Sequence, residues 1–125
     1  MNDNVKKYGL LALKILTGLA FMAAGLAKLF GAEMMVGTFE AVGIGQWFRY
    51  VTGAIEVISA VLLFVPGKQV YGASLLVCTM IGAVNAHTFI LGPSAIPAFG
   101  LGVTSAVIFY AHRNQLPFGA VEKHA

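Results

Sequence analysis

Hydrophobic and polar positions divide this chain into long apolar runs separated by short polar breaks. Residues 8–30, 47–65, 69–91 and 96–111 are apolar over lengths that suit membrane crossing, the last being the shortest. Residues 1–7 form a polar lead with Lys6 and Lys7. A secretory signal would share that basic start. Here the apolar run is too long for one, Lys14 interrupts it, and equally apolar runs follow, so a first transmembrane helix is expected. Pro66-Gly67 and Gly92-Pro93-Ser94 mark turns. Within 31–46, Met35, Phe39 and Val42 recur at i, i+4 and i+7, with Glu33 and Glu40 off that stripe. This spacing predicts a short amphipathic helix at the interface, ended by Gly43 and Gly45, with an irregular loop as the alternative. The expected fold is all-α: an integral membrane four-helix bundle with a short interfacial helix between the first and second spans. Residues 1–125 are read as a single membrane domain without internal repeats.

Composition strengthens that reading. Only 10% of the residues are charged, against about 25% in soluble domains, and 58% are hydrophobic, with a mean hydropathy of +0.83. The net charge of +3 matters less than its placement. Four spans put Lys6, Lys7, Lys14, Lys68, Arg113 and Lys123 on one side, and Lys28 and Arg49 toward the other. The positive-inside rule then predicts both termini in the cytoplasm, with a bacterial inner membrane as the expected location. Basic residues are neither clustered nor interleaved with aromatics, so nucleic acid is not an expected partner. The lone Cys78 excludes an intrachain disulfide or a CxxC pair and reads as a small buried apolar residue.

The chemistry centres on Glu56, an ionisable group near the middle of the second apolar run. Helical spacing puts Arg49, Thr52, Gly53, Ser59 and Ala60 on its face, all charged, small or hydroxylated, whereas Val51, Ile55, Ile58 and Leu62 suit lipid. Lys28 shares a small-residue face with Phe21, Ala24 and Gly25. Lys28 and Arg49 each either point inward or snorkel to the outer headgroups. Asn85 and His87 lie on different faces of the third span, and each either lines a pocket or makes an interhelical hydrogen bond. Ala98, Gly102 and Ala106 form a small-residue seam on the fourth span, where Thr104 and Ser105 match Glu56 in depth. Counting depth by helix rise places Lys28, Arg49 and His87 at a cationic mouth, Asn85 between, and Glu56 and Thr104 at the floor. By the same count Lys28 sits too high to touch Glu56 unless a helix breaks or water bridges them. Lys28, Arg49, Glu56, Asn85, His87 and Thr104 are therefore the candidate lining of an outward-facing polar pocket. His87, His112 and His124 are spaced against a bis-histidine haem, and no metal, nucleotide or Ser/His/Asp motif stands out. Proton transfer or cation binding is the chemistry left to Glu56.

AAGLAKL (23–29), TGAIEV (52–57) followed by an apolar run to Pro66-Gly67, and MIGAVNAH (80–87) together resemble the DoxX-like family of small four-helix membrane proteins. The resemblance covers roughly residues 10–112. It implies a bundle with inward polar residues, and carries Lys28, Glu56 and His87 over as the family's polar positions. It also implies diverse roles: a membrane subunit linked to thiosulfate–quinone oxidation, components of oxidative-stress complexes, and an animal branch that assembles receptors. The first expectation is a non-catalytic accessory or assembly subunit of a redox-related membrane complex, whose pocket takes a lipid, a quinone or a partner helix. Membrane lipids, another membrane protein or a second copy are the expected partners. The alternatives are a proton-coupled transporter using Glu56 and a quinone-linked oxidoreductase component.

Overall fold

The computed structural model describes residues 2–91 and 95–116. The expected turn at 92–94 and the tail from 117, with Lys123 and His124, lie outside the described residues. The described residues form five α-helices: α1 (Asp3–Leu29), α2 (Glu33–Val42), α3 (Gln46–Leu62), α4 (Gln69–Ala86) and α5 (Ile96–Ala111). A π-helical turn, His87–Leu91, continues α4, and a 3₁₀ turn, Arg113–Gln115, follows α5. No strand occurs among the described residues.

Helix ends follow local chemistry. α1 begins five residues earlier than the hydropathy pattern predicts, because Asn2 caps it: its Oδ1 accepts the Asn4 N–H at 2.8 Å, and Asp3 favours the first turn. The polar lead is therefore helical from Asp3 onward. α2 realises the amphipathic helix expected within 31–46. Phe39 is buried, Met35 and Val42 are half-buried, and Gly43 ends the helix in the left-handed region at φ 82°. α3 stops at Leu62, three residues before the expected limit, and the chain turns through Leu63–Lys68. Pro97 sits in the first turn of α5, where its missing N–H is tolerated.

α1 packs on α3, α3 on α4 and α4 on α5, and α5 closes back on α1. α2 lies across the end of α3 and touches the π-helical turn. Phe21, Ala60, Leu63, Ala73, Leu76, Met80 and Ile108 fill the centre. The outer surface is also apolar: Leu16, Leu19, Ile58, Ile81, Phe99 and Val107 are all exposed. An exposed apolar surface this extensive suits hydrocarbon rather than water. The expectation that Cys78 is buried is corrected: it is exposed, on a face of α4 turned away from the core that Leu76 and Met80 fill. Asp3–Leu29 and Gln69–Leu91 are long and apolar enough to cross a membrane, and Ile96–Ala111 is a shorter apolar helix.

Candidate functional site

The site is built where α1 crosses α3. The two helices run antiparallel, with Gly25 opposite Gly53 and Gly18 opposite Ala60. A Cβ on Gly25 would lie 2.8 Å from the Gly53 carbonyl oxygen, and one on Gly53 would lie 2.9 Å from that of Gly25. The backbones are thus in mutual contact, which only glycine at both positions permits.

This crossing brings Lys28 to Glu56. Lys28 Nζ lies 2.7 Å from Glu56 Oε1, and the side chains are 12% and 1% exposed. The expectation that Lys28 sits too high to touch Glu56 is therefore corrected. Helical side chains lean toward their own N-terminus. In antiparallel helices, Lys28 leans inward along α1 while Glu56 leans outward along α3, so each covers part of the gap that a count of Cα positions assigns to both. The contact is ionic rather than a well-aimed hydrogen bond, since Oε1 finds no hydrogen-bond partner of good geometry.

Arg49 is also buried, not snorkelling, and it braces the end of α1. Its guanidinium donates through Nη1 to the Lys28 carbonyl and through Nε to Gln46 Oε1 at 2.7 Å, and it stacks 4.3 Å over the Tyr50 ring. A cation on the last carbonyls of a helix offsets the negative end of its dipole. Gln46 extends the brace by donating to the Val36 carbonyl of α2 at 3.1 Å. Its role had no signal in the sequence. Ser59, one turn beyond Glu56, is fully buried, and its hydroxyl has no partner among the described residues. The helical face of Glu56 had already pointed to Ser59.

The other candidates do not join this cluster. Asn85 is exposed and donates to the Ile81 carbonyl of its own helix at 2.9 Å. It lines an apolar groove of about 330 Å³ between α4 and α5, with Met80, Ile81, Ala98, Phe99 and Gly102. The Ala98–Gly102–Ala106 seam lines that same groove. His87 opens the π-helical turn, and its Nδ1 is buried without a partner among the described residues. Thr104 is half-buried and donates to the Leu101 carbonyl at 2.9 Å, as buried Ser105 does at 2.8 Å. Both hydroxyls thus serve their own helix. Of the six candidates, Lys28, Glu56 and Arg49 are therefore brought together, and Asn85, His87 and Thr104 are not.

Among the described residues no group of three or more His, Cys, Asp or Glu could hold a metal. Glu56 with Lys28 can exchange a proton or hold a polar group that separates them, and it can tie α1 to α3.

An all-helical molecule with an apolar exterior and a buried lysine–glutamate pair defines a class of small membrane protein. The chain belongs to the DoxX-like family, whose model matches residues 12–110 and so covers all six candidate residues. Membership, together with the apolar helices, makes this a membrane protein. A Bacillus subtilis (strain 168) protein named "Putative oxidoreductase CatD" is 36% identical over 76 residues, which is 61% of this chain and 57% of that protein. The match thus spans little more than half of that relative's length. No solved structure matches the chain.

Proposed function

We propose that this protein is a non-catalytic accessory subunit of a redox-related complex in a bacterial inner membrane. In this reading α1, α3, α4 and α5 are four spans, both termini are cytoplasmic, and α2 lies at the outer surface. The observation that carries the reading is that the intramembrane charges engage one another or the backbone: Glu56 meets Lys28, and Arg49 meets the end of α1. Such a site holds helices in place, while the outer apolar surface remains free for lipid or a partner helix. The redox association draws on family membership and on the name of the Bacillus relative. Purification in mild detergent, followed by mass spectrometry of everything retained, tests it. A partner membrane protein present in stoichiometric amount is the expected result.

A second reading, a quinone-linked oxidoreductase component, is favoured by the relative's printed name alone. The same preparation separates the two, since a retained quinone in its lipid extract and absorption spectrum, without a partner protein, would replace the first reading by the second.

A further inference from the structure

A polar cluster at the opposite end of the bundle has no part in that reading. Lys14 of α1, Gln69 of α4, and His112 and Gln115 after α5 meet there. Their donors and acceptors can be assigned. The Gly67 N–H donates to Gln69 Oε1 at 3.1 Å, and the Val70 N–H donates to Gln115 Oε1 at 3.0 Å. Backbone donors thereby orient both amides, leaving Gln115 Nε2 to donate to Gln69 Oε1 at 2.6 Å. The same Nε2 lies 3.4 Å from His112 Nδ1, and Lys14 Nζ lies 3.4 Å from His112 Nε2. Both ring nitrogens therefore face donors.

A neutral imidazole has one lone pair and one N–H. One of the two contacts must set N–H against N–H, and protonating the ring would make both do so. Burial and the Lys14 charge hold His112 below its ordinary value of 6.5, in keeping with a neutral ring. The cluster thus sets donors against one another, and its ammonium has no carboxylate in ion-pair range among the described residues. The N-terminus of α4, at Gln69 and Val70, adds the positive end of its dipole.

Donors gathered in this way suit an anion that only accepts hydrogen bonds. Its depth narrows the chemistry further. Exposed Tyr8, Tyr71 and Tyr110 ring this end of the molecule, and Lys68 and Arg113 lie over Tyr71 and Tyr110 at 5.5 and 3.9 Å. Such a belt marks the headgroup level, where phosphate is the abundant acceptor. We propose that Lys14, His112 and Gln115 form a phosphate site, filled by the phosphate of an anionic lipid headgroup or by free phosphate. The site requires the bundle to lie in a membrane. It depends neither on the orientation there nor on an accessory role.

The test is thermal unfolding of the full chain in a non-ionic, phosphate-free detergent, titrated separately with short-chain phosphatidylglycerol and with inorganic phosphate. Saturable stabilisation by phosphatidylglycerol alone identifies the lipid headgroup. Stabilisation by inorganic phosphate, alone or in addition, identifies the phosphate group itself. Stabilisation by neither overturns the proposal. Loss of one charge-assisted hydrogen bond weakens binding roughly tenfold. That is the effect expected for Lys14→Gln, whereas Lys7→Gln, an exposed lysine on the same helix, should bind as wild type does. Equal losses in the two variants would reveal unspecific charge attraction and overturn the site. Should Lys14→Gln fail to fold, Gln115→Glu places a carboxylate where a donor stood. It should abolish binding, and retained binding there would equally overturn the site.

Discussion

Lys28 and Glu56 are each costly at this depth, and each makes the other tolerable. Removing one partner of a buried pair leaves an uncompensated charge, which costs about 3–5 kcal/mol, whereas replacing both with apolar groups is often neutral. Lys28→Met should therefore destabilise the protein by about that amount, because Glu56 is 1% exposed and cannot turn to water. Glu56→Gln should cost less, since the negative end of an amide dipole would still face the ammonium where the carboxylate stood. Lys28→Met combined with Glu56→Met should recover most of the loss. Unfolding in detergent, read as a double-mutant cycle, checks this. Additive losses would show that the two residues act independently, despite the 2.7 Å between them.

At the scale of elements, the pair depends on how closely α1 approaches α3. Gly25→Ala puts a methyl 2.8 Å from the Gly53 carbonyl oxygen and 2.7 Å from Val57 Cγ2, so the helices must separate. Overpacking of this kind costs about 1–3 kcal/mol and should also loosen the ion pair. Gly100→Ala, on α5, meets nothing within 4 Å and should be neutral or stabilising by about 0.5–1 kcal/mol through helix propensity. In one detergent the melting temperature should fall for Gly25→Ala and hold or rise for Gly100→Ala. Much of this crossing was legible in the sequence: Gly25 lies on the face of Lys28, and Gly53 on that of Glu56. Their contact was not, because depth counted along a helix axis omits the lean of each side chain toward its own N-terminus. The π-helical turn at His87–Leu91 was likewise hidden. Its sequence, HTFIL, follows α4 without a Gly or Pro to announce a change of register, and Asn85 just before it turns to the α4–α5 groove instead of the ion pair.

At the scale of the whole molecule, hydropathy outlined the helices well, but it could not reveal that α5 closes back on α1, since that depends on which faces pack. Orientation rests on different physics. From Tyr71 to Phe89, both exposed, is about 27 Å of helix rise, close to the hydrocarbon thickness of a bilayer. The Tyr71 end carries Lys68, Arg113 and the protruding start of α1 with Lys6 and Lys7, while the far end carries α2 with Glu33 and Glu40. Under the proposed reading, the positive-inside rule predicts that the Tyr71 end faces the cytoplasm. Two single-cysteine variants in a Cys78→Ser background test the assignment, at Glu40 and at Lys68, both exposed. A membrane-impermeant maleimide should label Glu40→Cys in intact cells and Lys68→Cys only after permeabilisation. The reversed pattern would invert the proposed orientation and leave the four proposed spans in place. Equal labelling of both from outside would remove the span between them, and with it the burial of Glu56 in the bilayer. The accessory-subunit reading would then lose its foundation, because Lys28 and Glu56 would be an ordinary pair in a water-facing helix packing.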